Sequence, residues 1–391
     1  MKKRLRVGMV GLGLASSSHM KGYLSHPKAE IAAVCDLDRR RAEQVAAHHG
    51  IPHAYDSYDE MLGNRDIDAV DIATPTFLHS EMTVKAASAG KHVHCEKPFC
   101  RSVREGLDAC RSMAHASRFL AVGETYVFLT SHMKARELIE AGEIGRPLQI
   151  RQRHGAWLER ESARVYTGPP GRNWRIDAEK SGGGPYPWIF DHAVHFFAAA
   201  EYLMLDAKIA QVMAVSARQK AAKKASGARH DPYMTAEVDI PVIVWKFDDP
   251  ACQGVWMRAE RLNGKYDYMK GFSTTVVGER GMIEVLGEGG DNLYWNGKRQ
   301  HLILHREGKE PACFRFDEGA DDVWESEISY YSRGHINQVH HFIECVLSGS
   351  PPRYSGEDGV HAVRCTLAAI RSAELSVPVK IEEIEEGFTA F

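Results

Sequence analysis

The chain has 391 residues, of which 44% are hydrophobic and 26% charged, and its formal net charge is −3. This length exceeds one ordinary hydrophobic core and predicts two domains. The small net charge gives no reason to expect nucleic acid or an anionic membrane as a partner. No run approaches the roughly twenty apolar residues of a membrane span, and the basic residues 2–4 precede a strand without a cleavage site. We therefore expect a cytoplasmic protein.

The first predicted element is a short buried strand that ends in closely spaced glycines, VGMVGLGLASSSH from residue 7. Gly11 permits a tight turn, and Gly13 lets the backbone approach a pyrophosphate. The first N–H groups of the helix that follows, at Leu14 and Ala15, then face the anion. Ser16 replaces the third glycine of the usual fingerprint. The pattern predicts a cofactor phosphate site.

A second apolar run at 31–35 ends in Asp36, about twenty residues on, where a ribose-binding carboxylate is expected. The carboxylate accepts hydrogen bonds from the adenosine ribose and repels a 2′-phosphate, which favours NAD over NADP. Arg39 and Arg40 follow closely and offer a phosphate an alternative partner, so Arg40 is a further cofactor-binding candidate.

Short apolar runs alternate with helical stretches over the first 123 residues. Predicted strands at 6–10, 31–35, 69–73, 92–95 and 119–122 are separated by helices that include 39–48, 79–89 and 103–116. This alternation predicts a doubly wound parallel sheet, which binds ligands beyond the carboxyl ends of its strands. Thr74, Pro75, Glu96 and Lys97 are therefore expected on the same rim as Gly11.

The cysteines and the histidines of the fourth of these strands give no sign of a metal. The eight cysteines form no C-x-x-C pair, which favours reduced thiols. Side chains alternate along a strand, so His92 and His94 are expected on one face of the sheet and Cys95 on the other. We expect no bound metal.

The pattern changes after residue 126. A helix at 131–141 is followed by predicted strands at 209–217, 236–247, 254–259, 273–277, 282–285, 292–295 and 302–305, and helices at 335–347 and 356–376 close the chain. Successive strands without intervening helices predict a mostly antiparallel sheet. The predicted domains are an NAD(P)-binding Rossmann domain at 1–125 and a substrate-binding and oligomerisation domain at 126–391.

Several segments resemble the glucose–fructose oxidoreductase, inositol dehydrogenase and MocA family. They are GLGLASSSH, DAVDIATPTFLH ending at His79, HVHCEKPF around Lys97, LIEAGEIGRP, NWRIDAEKSGGG, DHAVH at 191–195 and SGEDGVHAV. The resemblance implies a Rossmann domain followed by an α/β domain whose open, largely antiparallel sheet often supports subunit contacts. It also implies reaction at a secondary alcohol of a sugar, cyclitol or similar polyol with NAD or NADP, and it adds His79 to the cofactor-binding candidates.

Hydride transfer from a secondary alcohol needs a base for the hydroxyl proton and a cation for the developing oxyanion. Lys97 on the rim can supply the cation. Asp191 and His195 are one helical turn apart, and the carboxylate can tune the imidazole. The resemblance assigns Lys97, Asp191 and His195 as the catalytic lysine, aspartate and histidine. His192 is the second candidate for the base.

The substrate pocket is less well defined by the sequence. A proline–aromatic insertion at 185–188 is expected to form a loop at the pocket, and Glu124 to Tyr126 replace a segment in which many relatives have an arginine. The substrate-binding candidates beside the catalytic residues and His192 are Tyr126, Trp174, Arg175, Tyr186 and Trp188, with Trp157 and Tyr166 as further aromatic residues.

Three functions fit these residues. The first is an NAD(P)-dependent polyol or sugar dehydrogenase, and the second is a redox-cycling glycosidase or lyase that holds NAD as a prosthetic group. The third is a non-enzymatic sugar sensor, against which the retained Lys97, Asp191 and His195 argue. We also expect a homodimer or homotetramer formed through the C-terminal sheet, because residues 238–247 are apolar at both strand parities.

Overall fold

The computed structural model describes residues 4–154, 174, 177–219, 238–258, 273–286, 294–295, 298–299, 302–316 and 330–391. The pocket candidates Trp157, Tyr166 and Arg175 lie outside these ranges. The chain separates into two compact units, the first Met1–Phe128 with Ser332–Val363 and the second Leu129–Tyr331 with Arg364–Phe391. The first unit thus includes a late segment of the chain.

The first unit contains a six-stranded sheet in the order β3-β2-β1-β4-β5-β6, and its strand pairs are all parallel. Its strands are β1 (Leu5–Val10), β2 (Ala29–Cys35), β3 (His53–Tyr55), β4 (Ala69–Ile72), β5 (His92–Glu96) and β6 (Leu120–Gly123). The helices between them are α1 (Leu14–Ser25), α2 (Arg39–His49), α3 (Tyr58–Gly63), α4 (Thr76–Ser88) and α5 (Val103–His115), and a 3₁₀ helix covers Thr125–Phe128. The predicted doubly wound sheet is confirmed. The sequence did not reveal β3, because three residues are too few to show a hydrophobic period.

The second unit is built around a nine-stranded sheet in the order β16-β15-β12-β11-β7-β10-β9-β8-β17. The elements after the first unit's sheet are α6 (Thr130–Glu140), β7 (Pro147–His154), α7 (Ala178–Ser181), α8 (Pro187–Leu203), β8 (Ile209–Gln219), β9 (Val238–Phe247), β10 (Gln253–Arg258), β11 (Ser273–Gly278), β12 (Gly281–Leu286), β13 (Tyr294–Trp295), β14 (Lys298–Arg299), β15 (Leu302–Arg306), β16 (Ala312–Phe314), α9 (Tyr330–Ser348), α10 (Gly356–Leu375) and β17 (Val379–Lys380).

The strand pairing confirms the mostly antiparallel character of this sheet. Among the described pairs, only β7 with β10 is parallel. The sequence analysis missed β7, whose sequence PLQIRQRH is polar at most positions and buries a glutamine, Gln152, beside Ile150. β13 and β14 form a separate two-stranded sheet, and β13 lies within the predicted strand at 292–295, whose first two residues are outside the described ranges.

Helix α9 contributes to the core of the first unit. Its residues Val339, Phe342 and Ile343 belong to the same buried cluster as Val7 on β1. A Cβ atom at Gly22 on α1 would lie 2.8 Å from the Val339 side chain, so glycine permits the close approach of α1 and α9. This packing brings polar residues of α9 into the first unit.

The core of the second unit lies between α8 and the nine-stranded sheet. Phe196 stacks on Trp256 of β10 with ring centroids 4.7 Å apart, and Phe197 meets Trp245 of β9 edge-on at 5.4 Å. Such aromatic pairs stabilise a core beyond the area they bury. Although α8 is almost wholly buried, neither it nor any other helix in the described ranges is long and apolar enough to cross a membrane.

Candidate functional site

The glycine turn after β1 has the geometry of an anion cradle. Gly11 has a φ of +83°, and a Cβ atom there would lie 2.6 Å from the carbonyl oxygen of Ala73, so only glycine fits. Gly13 is the N-cap of α1, and among the described residues nothing lies within 4 Å of a Cβ atom placed there. No side chain in the described part of the chain caps this helix. Its first turn, which begins at Leu14 and Ala15, has no acidic residue. A dinucleotide pyrophosphate fits this open helix N-terminus.

Asp36 lies directly after β2 at the same sheet edge, with 9% of its surface exposed. Its carboxylate accepts hydrogen bonds from the backbone N–H of Leu12 at 2.9 Å and of Asp38 at 2.9 Å. The guanidinium facing it is that of Arg41, at 3.3 Å, and not that of the predicted Arg40. Asp38 caps α2 and accepts the Arg40 backbone N–H, and the helical turn then directs Arg41 toward Asp36.

Thr74, Pro75 and His79 form the next part of this rim. Thr74 and Pro75 follow β4, and Pro75 is the N-cap of α4. The ring of His79 is buried, with Nε2 2.8 Å from the Thr74 carbonyl oxygen and Nδ1 2.8 Å from that of Pro98. Burial lowers the pKa of His79, while the contacts with the Thr74 and Pro98 carbonyl groups oppose that shift. His79 therefore braces the loops that follow β4 and β5.

Glu96 ends β5, and Lys97 is the first residue beyond it. Glu96 is buried and Lys97 is half-buried, and the peptide bond from Lys97 to Pro98 is cis. One carboxylate oxygen of Glu96 accepts the backbone N–H of Lys97 at 3.2 Å. The sheet order reverses between β1 and β4, and ligands of such sheets bind at this crevice beyond the strand ends. Lys97 thus follows the strand next to β4 at the ligand-binding edge.

Sequence analysis missed a set of buried polar residues behind this rim. His19 on α1 contacts both Asp71 on β4 and Glu96, and His94 on β5 also contacts Asp71. His335 on α9 lies with its ring 5.5 Å from that of His19. The sequence analysis assigns His19 no role, although His19 ends the GLGLASSSH segment, and nothing in the local sequence links residue 335 to residue 19.

The second unit holds the other candidate catalytic residues, all on α8. Asp191 and His195 are one turn apart and both are buried, with 9% and 4% of their surface exposed. His192 is half-buried, and its Nδ1 is 3.6 Å from Oδ2 of Asp191. Asp191 and His195 are four residues apart and share a helix face, and a carboxylate and an imidazole arranged in this way are suited to proton transfer.

The predicted proline–aromatic loop is wrong for Trp188. Pro187 occupies the first helical position, where its fixed φ favours a helix start, so Trp188 lies in the first turn of α8 and Tyr186 is the N-cap. Trp188 stacks under the guanidinium of Arg258 at 4.8 Å, and an N–H of Arg258 lies 3.4 Å from Nδ1 of His192. The sequence analysis did not select Arg258, which ends β10.

The remaining pocket candidates fall in different units. Tyr126 is buried in the 3₁₀ helix of the first unit, and its backbone N–H donates to Glu124 at 3.1 Å. Trp174 of the second unit is half-buried, and its carbonyl accepts the backbone N–H of Asp177 at 3.2 Å. Tyr186 is buried beside α8.

Comparison with known proteins identifies the family to which both parts of the chain belong. Residues 5–124 match the Gfo/Idh/MocA model described as an oxidoreductase family with an NAD-binding Rossmann fold, and residues 136–381 match the C-terminal alpha/beta domain of the same family.

Two curated relatives match along nearly their whole length. The scyllo-inositol 2-dehydrogenase (NAD(+)) of Bacillus subtilis is 27% identical over 100% of this chain and 99% of its own. The myo-inositol 2-dehydrogenase of Thermotoga maritima is 26% identical over 97% and 99%. The crystal structure of a probable dehydrogenase from Thermotoga maritima superposes with a TM-score of 0.72 at 26% identity and covers 97% of this chain and 100% of its own. The chain is therefore an enzyme of the Gfo/Idh/MocA oxidoreductase family, with an NAD-binding Rossmann fold and the family's C-terminal α/β domain.

Proposed function

We propose that the protein is an NAD-dependent dehydrogenase that interconverts a secondary alcohol and a ketone of a sugar, cyclitol or related polyol. The observation on which this proposal depends is that Lys97 follows β5 at the sheet edge that holds the Gly11 cradle and Asp36. A cation at that edge suits the oxygen of a reacting alcohol. The inositol dehydrogenases among the relatives support the substrate class.

Each catalytic residue is assigned one role. The hydride acceptor would be supplied by NAD when it is bound, so that the alcohol carbon would lose its hydrogen with two electrons and become a carbonyl carbon. His195 takes the hydroxyl proton, and Asp191 stabilises the imidazolium that forms. Lys97 donates a hydrogen bond to the oxygen while negative charge develops on it.

The choice of His195 over His192 rests on Arg258. Arginine donates hydrogen bonds and never accepts them, so the contact at 3.4 Å makes Nδ1 of His192 the acceptor and leaves the ring proton on Nε2. The carboxylate of Asp191 at 3.6 Å is beyond hydrogen-bond distance of that nitrogen. His192 is therefore suited to donate to a substrate oxygen through Nε2 and not to act as the base.

NAD is the proposed cofactor in preference to NADP. Asp36 occupies the ribose-binding position with an anionic side chain, which favours free 2′- and 3′-hydroxyls and repels a 2′-phosphate. The ion pair with Arg41 lowers this repulsion. The same ion pair occupies the Arg41 guanidinium, so a 2′-phosphate would have to compete with Asp36 for it.

We propose that two copies of the chain associate through the open face of the nine-stranded sheet. Val215, Val242 and Met257 are exposed side chains in one row across β8, β9 and β10, and Met213 with Val244 forms the next row. Water-exposed aliphatic rows on a sheet are typical of a protein–protein contact. A symmetric homodimer or homotetramer buries them.

The test is turnover with free NAD. The purified protein is incubated with NAD and a panel of cyclitols, aldoses and sugar alcohols, and NADH is followed at 340 nm while the product is identified by mass spectrometry. Stoichiometric NADH and ketone are expected. Product without net NADH would instead indicate a redox cycle on a retained cofactor, and no binding of NADH by fluorescence titration would refute the proposal.

A further inference from the structure

A fully buried hydrogen-bonded group lies directly behind Lys97 in the first unit. Nδ1 of His19 is 3.0 Å from both carboxylate oxygens of Asp71, and Nε2 is 2.8 Å from Oε1 of Glu96. The side chains of His19 and Asp71 are completely shielded from solvent, and that of Glu96 is 9% exposed. His19, Asp71 and Glu96 thus form a clamp in the protein interior, in which the histidine lies between two carboxylates.

This clamp fixes the protonation state of the ring. Both ring nitrogens face carboxylate oxygens, so both must donate, which only the imidazolium can do. Burial alone would lower the pKa of His19, but Asp71 and Glu96 raise it to about 10. Burial would likewise raise the pKa of Glu96, but His19 lowers it to about 2. Each ion is therefore retained in the interior by its partner.

Other polar groups pack against the clamp. Asp71 accepts the hydroxyl of Tyr23 at 2.9 Å and lies 2.7 Å from Nδ1 of His94. From α9, the side-chain amide nitrogen of Gln338 lies 3.1 Å from Nε2 of His19. Both atoms are donors when the ring is protonated, so this approach is a contact and not a hydrogen bond. The groups that face His19 are Asp71, Glu96, His94, His335 and Gln338. Because its partners hold Asp71 in place, His19 has one orientation.

The clamp continues to the backbone of Lys97. Oε1 of Glu96 accepts the hydrogen bond from His19, and Oε2 accepts the N–H of Lys97, so both oxygens of the carboxylate are engaged. Gly123 on β6 pairs with Glu96, and a Cβ atom there would lie 3.2 Å from Oε1. The neighbouring strand therefore leaves room for the carboxylate and limits its movement.

We propose that His19, held as a cation by Asp71, is a positioning residue that fixes Glu96 and thereby the orientation in which Lys97 leaves the sheet. The inference rests on the proposed function only in that Lys97 acts on the substrate oxygen. His19 itself touches no reacting atom. Its effect is to restrict the backbone that carries the lysine. Groups that orient the ligands of a metal site change affinity or activity by about 10–100-fold, and we expect an effect of this size here.

The same atoms form two candidate metal groups among the described residues, His19 with Asp71 and His94, and His19 with Glu96 and His335. The contacts of 2.7–3.0 Å between nitrogen and oxygen are hydrogen-bond distances. Two ligands of one tetrahedral zinc ion lie about 3.4 Å apart, since each bond is about 2.0–2.1 Å long. The geometry therefore favours a shared proton over a shared metal.

The first measurement uses the wild-type protein and needs no turnover. With ¹⁵N-labelled histidine, NMR at pH 8 is expected to show one ring with both N–H protons in slow exchange, and this ring is assigned to His19 by its loss in His19→Gln. Hydrogen exchange is expected to show a protected Lys97 amide. A neutral ring at residue 19, or stoichiometric zinc by elemental analysis, would overturn the proposal.

The second measurement compares His19→Gln with Tyr23→Phe. Both variants remove a hydrogen bond to Asp71, but only the first breaks the contact with Glu96. We expect His19→Gln to lower kcat about 10–100-fold with NADH affinity changed less than about 3-fold, and Tyr23→Phe to retain kcat within about 3-fold. Equal losses in both variants, or an unchanged kcat in a folded His19→Gln, would refute a positioning role.

The two proposals fail in different ways. A wild-type protein that turns over no polyol refutes the proposed function. The exchange of the Lys97 amide in the wild-type protein still decides whether the clamp exists, including in the case that His19→Gln does not fold. A wild-type spectrum at pH 8 with no doubly protonated histidine ring would likewise refute the clamp without any variant.

Discussion

Asp36 offers the sharpest test of the cofactor assignment. We predict that Asp36→Ala moves the ratio of kcat/KM for NAD and NADP by about 10²–10³-fold toward NADP. The change removes the acceptor that we assign to the ribose hydroxyls and the negative charge that opposes a 2′-phosphate. In the wild-type protein the Arg41 guanidinium lies 3.3 Å from the Asp36 carboxylate. In Asp36→Ala this partner is lost, and Arg41 can pair with the 2′-phosphate of NADP.

The magnitude follows from these contacts. A hydrogen bond to a charged group contributes about 1.5–3 kcal/mol. The Arg41 side chain is half exposed, so the lower part of this range applies. At about 1.5–2 kcal/mol each, losing the bond for NAD and gaining an arginine contact for NADP together amount to about 3–4 kcal/mol, and each 1.4 kcal/mol is about tenfold. The variant also leaves the backbone N–H groups of Leu12 and Asp38 without their acceptor, so a lower Tm accompanies the switch.

The assay is initial rate against each cofactor at a fixed, saturating substrate concentration. Asp36→Asn is the matched control, because it keeps an acceptor oxygen and loses only the charge, and we expect an intermediate ratio. In the Asp36→Ala background, Arg41→Met should remove most of the gain with NADP. A wild type that prefers NADP, or an Asp36→Ala enzyme with an unchanged ratio, would refute the reasoning.

Four other outcomes are expected. Lys97→Met and His195→Ala each lower kcat by about 10²–10⁴-fold. Their NADH affinity, measured by fluorescence titration, stays within a few-fold of that of wild type. A His195→Ala enzyme that retains most of its kcat would show that the base is another residue. Gly11→Ala abolishes NADH binding, because its Cβ would lie 2.6 Å from a backbone oxygen; normal titration would contradict this. Val242→Asp yields a smaller species by light scattering than wild type at micromolar concentration, whereas a monomeric wild type would rule out the sheet interface. Folding raises the pKa of His19 from 6.5 to about 10, so the contribution of the protonated ring to stability is complete below about pH 6.5 and is lost as the pH rises through 10. The Tm of wild type should therefore fall toward that of His19→Gln over this pH range. A constant difference in Tm between the two proteins would contradict the clamp.

The sequence was sufficient where local physics decides the structure. The glycines at 11 and 13, the acid at 36 and the regular alternation of strands and helices specify a Rossmann unit, because a tight turn beside a phosphate and a buried parallel strand each restrict residue type locally. Asp191 and His195 were likewise placed on one helix face by their spacing alone. The proline–aromatic segment was misread at Trp188, since proline also favours the first position of a helix.

The tertiary structure alone decided which distant residues meet. Arg41 and not Arg40 faces Asp36 because the capped start of α2 sets the helical phase. His19 was visible in the sequence, but its role depends on Asp71 and Glu96, which lie 52 and 77 residues away. His335 reaches the same group only because α9 packs into the core of the first unit. Contacts of this kind arise from the packing of whole elements, and no periodicity or local motif encodes them.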